Sequence, residues 1–199
     1  MNGVVLISGN GSNLQSIIDN AKSIDLNICC VVSNKKDAFG LKRAAKASIP
    51  CIALDETLFD SKLGFDQEIM KVIDNYQAEV IILAGYMRIL SADFISKYSG
   101  KILNIHPSLL PKFPGLNTHQ RAIDASEKKH GASVHFVTEE VDGGPVIAQQ
   151  PVNIDSTDNS QTLAKKVLKK EHVLYPQVIG WYTQGRLKLL NNKTVILDK

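Results

Sequence analysis

The sequence predicts a single α/β domain built on an open, twisted, mostly parallel sheet with helices on both faces. Apolar runs of strand length alternate with stretches of helical period along the first half of the chain. These runs are almost continuous Val, Ile and Leu, which indicates strands that are covered on both faces, as in a parallel sheet. Two later runs joined by TEEVDGGP indicate an antiparallel C-terminal portion.

The composition favours one domain and small ligands. A chain of 199 residues with 44% hydrophobic residues can bury one substantial core, so residues 1–199 are interpreted as one domain. The 23 basic and 20 acidic residues are spread evenly and give a net charge of +3, which argues against a nucleic-acid partner. The first apolar run is too short for a membrane span and lacks the features of a signal peptide, so we expect a cytoplasmic protein.

The elements of the first half follow from their local patterns. A helix from about Ser12 is predicted because apolar residues at i, i+3, i+4 and i+7 would dock it on the sheet. Another helix is expected from about Ala38, and a longer one covers residues 60–75. The predicted strands are Val4 to Ser8, Leu26 to Ser33, Pro50 to Leu54, Glu79 to Ala84 and Ile102 to Ile105.

The second half is expected to end in a hairpin and a long helix. Ser133 to Val137 and Val146 to Val152 are the two hairpin strands. Residues 160–183 have a helical apolar stripe, and Pro176 within them is a predicted kink or break. A final strand is predicted near residues 187–190.

The cysteines and histidines do not indicate a metal site or a disulfide. Cys29, Cys30 and Cys51 are odd in number, lack a C-x-x-C spacing and lie in strand-like runs, so they are predicted to be reduced core residues. The five histidines lack the spacing of a zinc motif. We therefore expect no metal.

A glycine-rich turn follows the first strand in LISGNGSNLQ. Gly9 and Gly11 allow unusual dihedral angles, and Ser12 or Asn13 could cap the helix, so that several N–H groups point at one anion. The lysine of a nucleoside-triphosphate loop is missing, and Leu14 replaces the third glycine of a dinucleotide fingerprint. A phosphomonoester fits best, although an ordinary strand-to-helix turn explains these residues equally well.

Candidate catalytic residues lie at the end of the fifth strand in KILNIHPSLLPKFPG. Asn104 and His106 leave the same face of the sheet at the edge where open α/β folds bind ligands, and prolines stiffen the loop after them. Asp142, in a turn with two glycines, could lie beside them. Asn, His and Asp around one point can stabilise an oxyanion and move a proton, as acyl transfer without a covalent intermediate requires. A structural histidine and a turn-forming aspartate are the alternatives.

Five motifs together resemble the phosphoribosylglycinamide formyltransferases, the folate-dependent enzymes of purine synthesis. They occur in family order along nearly the whole chain: LISGNGSNLQ, AGYMRIL, LNIHPSLLPKFPG, GASVHFVTEEVDGGPVI and EHVLYP. The resemblance implies transfer of a formyl group from 10-formyltetrahydrofolate to the amine of glycinamide ribonucleotide. It also implies a nucleotide-binding half, residues 1–100, and a catalytic and folate-binding half, residues 101–199.

The resemblance assigns roles to particular residues. Asn104, His106 and Asp142 match the catalytic trio, in which Asp142 would keep a protonated His106 charged by raising its pKa. The 5′-phosphate and the rest of the ribonucleotide would contact Gly11, Ser12, Asn13, Pro107 and Glu171. The folate would contact Met87, Arg88, Ile89, Leu90, Thr138, Glu139, Glu140 and Val141. Without the resemblance, Glu171 is interpreted as a solvated helix residue and AGYMRIL as a buried strand end.

The resemblance leaves two rivals. Methionyl-tRNA formyltransferases and formyltetrahydrofolate hydrolases share Asn-x-His and the later Asp, but they resemble this chain plus an extra domain. A binding module that has lost its activity is the other rival. The departures are small: the segment near residues 23–27 is short, and Phe113 stands where several members have tyrosine. The expected partners are the two small substrates, with no nucleic acid or membrane, and the protein would be a monomer or a homodimer.

Overall fold

A seven-stranded sheet forms the centre of the computed structural model, which describes residues 1–190 and 193–196. The strand order is β3-β2-β1-β4-β5-β6-β7; the pairs from β3 to β5 are parallel, and β6 and β7 are antiparallel to their neighbours. This confirms the predicted fold class. The strands are β1 (Asn2–Ile7), β2 (Asn27–Ser33), β3 (Cys51–Ala53), β4 (Val80–Leu83), β5 (Ile102–His106), β6 (Lys129–Phe136) and β7 (Val146–Asn153).

Helices cover both faces of the sheet. They are α1 (Ser12–Asn20), α2 (Phe39–Lys46), α3 (Lys62–Asn75), α4 (Ala92–Lys97), α5 (Thr118–Asp124) and α6 (Ser160–Thr183), with a short 3-10 helix at Glu56–Leu58. After α6, β8 (Leu187–Leu190) and β9 (Lys193–Ile196) form a small antiparallel hairpin. Within the described ranges, no helix is both long enough and apolar enough to cross a bilayer.

The alternation of side chains along β1 explains why its sequence is apolar throughout. Val5 and Ile7 belong to a core shared with α1 and α6, whereas Val4 and Leu6 belong to a core shared with α3 and α4. Each strand residue therefore enters one of two apolar layers, as the continuous apolar runs predicted.

The strand order reverses between β1 and β4, and this reversal places the ligand-binding edge. The chain runs outward from β1 to β3 and then returns to the other side of β1 with β4. Loops leaving β1 and β4 at their carboxyl ends consequently diverge and leave a crevice, which is where open α/β sheets bind ligands.

Two details of the prediction are wrong. Of the kink or break predicted at Pro176, the break is wrong, because helix α6 continues to Thr183. The hydroxyl of Tyr175 lies 2.9 Å from the carbonyl oxygens of both Leu83 and Leu103 and donates its one hydrogen between them, so tertiary contacts hold the helix where proline removes a helical bond. Cys51 is exposed rather than buried because it lies on β3, the edge strand.

Candidate active site

An open cleft of about 600 Å³ lies at the carboxyl ends of β4 and β5. Its volume is in the range of small-molecule sites, and its lining is mostly apolar. All the sequence-predicted catalytic and folate-binding residues line it, and so does Pro107. Gly11, Ser12, Asn13 and Glu171 lie outside its lining and form a separate group.

The structure brings Asn104, His106 and Asp142 together. The His106 Nδ1 atom lies 3.2 Å from Asp142 Oδ2, and Asn104 Nδ2 donates a long hydrogen bond of 3.4 Å to Asp142 Oδ1. Both residues on β5 point to the same side because they are two apart in the strand. The carboxylate of Asp142 thus joins the amide and the imidazole.

A tight turn carries Asp142 into this position. Asp142 has a φ of +52°, in the left-handed region, and the backbone N–H of Gly115 donates a 2.8 Å hydrogen bond to its Oδ2 atom. A Cβ atom on Gly144 would collide with the carbonyl oxygen of Phe136, so the chain can double back here only with glycine. The Asp-Gly-Gly segment therefore serves both as a turn and as the carrier of the carboxylate that faces His106.

Both ring nitrogens of His106 face oxygen acceptors. Nε2 lies 2.9 Å from the carbonyl oxygen of Phe113, and Nδ1 faces Asp142. Only a doubly protonated ring can donate to both oxygens. Burial nevertheless lowers the pKa of His106 and outweighs the contributions of Phe113 and Asp142, which raise it. The expectation of a raised His106 pKa is therefore wrong, because desolvation of the charged ring is the largest effect.

Asp142 stays ionised despite partial burial. Burial opposes ionisation, but the side chain of His135, the N–H of Gly115 and the nearby imidazole of His106 hold the pKa of Asp142 below its ordinary value. The site therefore keeps a negative charge next to His106 at neutral pH.

His135 is a site residue that the sequence prediction missed. It lies on β6 directly opposite Asn104, and its Nε2 atom is 3.0 Å from Asn104 Nδ2 and 3.6 Å from Asp142 Oδ1. Its Nδ1 atom faces the carbonyl oxygen of Phe136 at 2.8 Å, so Nδ1–H donates to that carbonyl and leaves Nε2 to accept from Asn104. The ring thereby orients the Asn104 amide.

The glycine-rich turn has a different cap from the predicted one. Gly11, with a φ of +72°, is the N-cap of α1, and neither Ser12 nor Asn13 caps the helix. The first helical hydrogen bond runs from the Gln15 N–H to the Gly11 carbonyl. The amides before Gln15 therefore lack helical partners and, with the helix dipole, favour an anion.

Glu171 is not a solvated helix residue. It is 7% exposed, and its Oε2 atom accepts a 2.8 Å hydrogen bond from Asn13 Nδ2. Burial raises the pKa of Glu171. The contact places a carboxyl group of α6 beside the glycine-rich turn, so four of the predicted ribonucleotide residues are adjacent.

The segment after β4 supplies apolar and backbone groups to the cleft. Met87 and Ile89 are 66% and 60% exposed, whereas Leu90 is buried. The N–H of Met87 donates a 2.8 Å hydrogen bond to Ser8 Oγ, and Ser8 in turn donates to Asn34 Oδ1 at 2.6 Å. One hydroxyl therefore joins the loops that follow β1, β2 and β4.

Arg88 in this segment is paired within the protein. Its guanidinium forms an ion pair with Glu56 and lies over the ring of Phe65, with 4.2 Å from Cζ to the ring centroid. Arg88 lines the cleft with its charge neutralised. In the part of the chain that the structure describes, no group of three or more His, Cys, Asp or Glu side chains could hold a metal ion.

Comparison with known proteins gives the family of this chain. The model of the formyl transferase family matches residues 1–179. A phosphoribosylglycinamide formyltransferase of Escherichia coli (strain K12) is 52% identical over 194 residues, which are 96% of this chain and 92% of that protein. The solved phosphoribosylglycinamide formyltransferase of Coxiella burnetii is 47% identical with a TM-score of 0.95, covering 98% of this chain and 93% of that one.

The chain is also similar to a solved structure of an enzyme with a different activity in its name. The solved formyltetrahydrofolate deformylase of Pseudomonas syringae pv. tomato is 28% identical with a TM-score of 0.91, and the match covers 99% of this chain but 66% of that chain. The longer rival thus contains the whole fold described above and an additional part. On its sequence and its fold, the chain belongs to the formyl transferase family.

Proposed function

We propose that this formyltransferase moves the formyl group of 10-formyltetrahydrofolate to the amine of glycinamide ribonucleotide, a step of purine biosynthesis. The observation that carries the proposal is the Asn104, His106 and Asp142 cluster at the wall of an apolar cleft. The similarity to phosphoribosylglycinamide formyltransferases over nearly the full length of both chains supports the choice of substrates.

Two neighbouring regions, each built from both halves of the chain, would hold the two substrates. In residues 1–100 the free amides at Gly11, Ser12 and Asn13 would bind the 5′-phosphate, and Glu171 from α6 would contact the ribose. The folate would lie in the cleft against residues 87–90 and 138–141, with Pro107 at the junction with the acceptor. The apolar surface of Met87 and Ile89 suits an aromatic donor.

The chemical step needs no covalent enzyme intermediate. The amine attacks the formyl carbon, the new C–N bond forms, and the carbonyl oxygen becomes an oxyanion. His106, whose Nε2 would exchange the Phe113 carbonyl for the oxyanion, and Asn104 would stabilise that charge. Asp142 would offset the positive charge of the imidazolium. It would also take the proton released by the amine and pass it to N10 of the folate as the bond between the formyl carbon and N10 breaks.

A spectroscopic assay tests the proposal. The protein is mixed with formyl-folate and glycinamide ribonucleotide, and the absorbance of deformylated folate is followed. An absorbance that rises only when both substrates are present supports the transferase. A rise without the ribonucleotide indicates a hydrolase, and substrate binding with no rise indicates a module without activity; either result would contradict the proposal.

The cellular location and the oligomeric state of the enzyme are a further part of the proposal. We infer that it works in the cytoplasm as a monomer or a homodimer on its two small-molecule substrates. The balanced charge of the sequence, +3 over 199 residues, supports small ligands rather than nucleic acid.

A further inference from the structure

Arg43 is a half-buried cation on α2 that the proposed chemistry does not use. Its Nε atom donates to the backbone carbonyl of Asn10 at 2.9 Å, and Nη2 donates to Asn10 Oδ1 at 3.0 Å. Nη1 donates to Gln15 Oε1 at 3.3 Å. One side chain thus binds both the glycine-rich turn and the first turns of α1.

The backbone of α2 also lies against this turn. The N–H of Gly40 donates a 3.1 Å hydrogen bond to the carbonyl oxygen of Gly9. A Cβ atom on Gly11 would come within 2.6 Å of Gly40 Cα, so only glycine permits this approach. Gly40 and Arg43 are three residues apart and share one face of the helix. The turn is therefore held from one side by both the backbone and a side chain of α2.

The geometry of the Arg43 guanidinium is suited to restraining Asn10. Asn10 is exposed and lies between two glycines, so its conformation would otherwise be poorly restrained. The planar fork of Arg43 engages both oxygens of Asn10, and the ring of Phe39 lies 4.9 Å from its Cζ atom. A lysine ammonium is a point charge without a fork and cannot reproduce paired hydrogen bonds of fixed direction.

We propose that Arg43 is a positioning residue for the acceptor's phosphate. By holding Asn10 and Gln15, it keeps the N–H groups of Ser12 and Asn13 aimed at one point before the ligand arrives. Preorganisation of this kind lowers the entropic cost of binding. The inference rests on the proposed function, because it assumes that the turn binds a phosphate.

Steady-state kinetics of Arg43→Ala, Arg43→Lys and Lys42→Ala test the role. We expect Arg43→Ala to raise the KM for glycinamide ribonucleotide about tenfold, since a lost hydrogen bond from a charged group is worth roughly 1.5 kcal/mol or more. The kcat and the KM for formyl-folate should stay within about twofold of the wild type. Arg43→Lys should not restore the KM. Lys42→Ala, an exposed cation on the same helix, is the matched control and should behave as the wild type.

A second measurement separates this inference from the proposed function. Calorimetric titration with ribose 5-phosphate needs no turnover, and we expect about tenfold weaker binding to Arg43→Ala than to the wild type. If wild-type transfer fails but this difference persists, the proposed function is wrong and the role of Arg43 stands. Equal affinities, rescue by lysine, or a parallel rise of both KM values with a lower melting temperature would overturn the role.

Discussion

At the scale of single residues, His135 shows how one imidazole can orient a neighbouring side chain. Its tautomer follows from the Phe136 carbonyl, and the tautomer in turn fixes which group of Asn104 faces it. The second hydrogen of Asn104 Nδ2 is held only by the long contact to Asp142. It is therefore the hydrogen that an oxyanion would take.

Asn104→Ala removes this donor, and we expect kcat to fall by about 10²- to 10³-fold, as for other oxyanion donors. Binding of formyl-folate should change much less, because most of the cleft surface stays in place. Turnover measurements on this variant and on Asn153→Ala, at the exposed end of β7, make the comparison. Near-normal turnover of Asn104→Ala would remove Asn104 from the mechanism.

His135→Phe preserves a buried ring but leaves the Asn104 amide without its acceptor. We expect kcat to fall by roughly ten- to a hundredfold, which corresponds to the roughly 1–3 kcal/mol cost of an unpaired buried polar group. The KM values should change little. His135→Gln, whose amide oxygen can take the place of Nε2, should retain most of the activity; equal kinetics of the Phe and Gln variants would argue against orientation of Asn104 by His135.

The sequence predicted Asn104, His106 and Asp142 but not His135, and the reason is physical. Asn104 and His106 share a strand, so their common direction follows from spacing alone. The contact between Asn104 and His135 depends on the register of β5 against β6, which local patterns do not encode. The pKa of His106 was also predicted in the wrong direction, because burial is a property of the whole fold.

At the scale of elements, the backbone of the Asp142 to Gly144 turn determines the position of the proposed catalytic carboxylate. Gly144→Ala would drive a Cβ atom into the carbonyl of Phe136. Relief of this clash moves the turn and withdraws Asp142 from His106. We expect a loss of about 1–3 kcal/mol in the free energy of unfolding, as for other overpacked sites, together with a lower kcat.

Urea unfolding and turnover assays check this expectation, with Gly64→Ala as the control. A Cβ atom on Gly64, in the first turn of α3, would meet only the Ser61 hydroxyl. That variant should keep the wild-type stability and turnover closely. A Gly144→Ala protein with wild-type stability and kcat would show that the turn tolerates a side chain.

Helix positions were predicted well where amphipathic periods were long and poorly where they were short. The bounds of α6 agree with the predicted residues 160–183. The short helices α4 and α5 were not predicted, because six or seven residues carry too little periodicity. The cap of α1 was misassigned since the left-handed Gly11 took the capping position from the side chains.

At the scale of the whole molecule, buried histidines make stability depend on pH. His130 is 1% exposed, and burial together with the nearby His119 lowers its pKa to about 4. The unfolded chain takes up this proton near pH 6.5, whereas the folded chain does so only near pH 4. Between these values the unfolded state binds more protons, so stability falls as the pH falls.

We expect the wild type to lose on the order of 3 kcal/mol of unfolding free energy between pH 6.5 and pH 4 through this residue, since the pKa differs by about 2.5 units and each unit is worth about 1.4 kcal/mol at most. His130→Gln cannot take up the proton and should lose less over the same window. Urea unfolding at several pH values measures the slopes. Parallel slopes for the two proteins would exclude His130 as the source.

The sheet order lay beyond the sequence prediction, although the sheet type did not. Alternating apolar and helical runs identify a parallel α/β fold, but they leave open where the order reverses. The reversal between β1 and β4 comes from the packing of all seven strands. The proximity of the glycine-rich turn to residues 85–90, which leave these two strands, therefore depends on the three-dimensional order of the sheet.

The hydroxyl of Ser8 gives that relation a practical meaning. It donates to Asn34 and accepts from the amide of Met87, so the proposed phosphate-binding turn and the proposed folate-binding segment are linked through one hydroxyl. We expect that grafting a new 85–90 segment to accept a different one-carbon carrier would also disturb the proposed nucleotide site. Engineers who wish to alter one substrate will need to redesign the pair together.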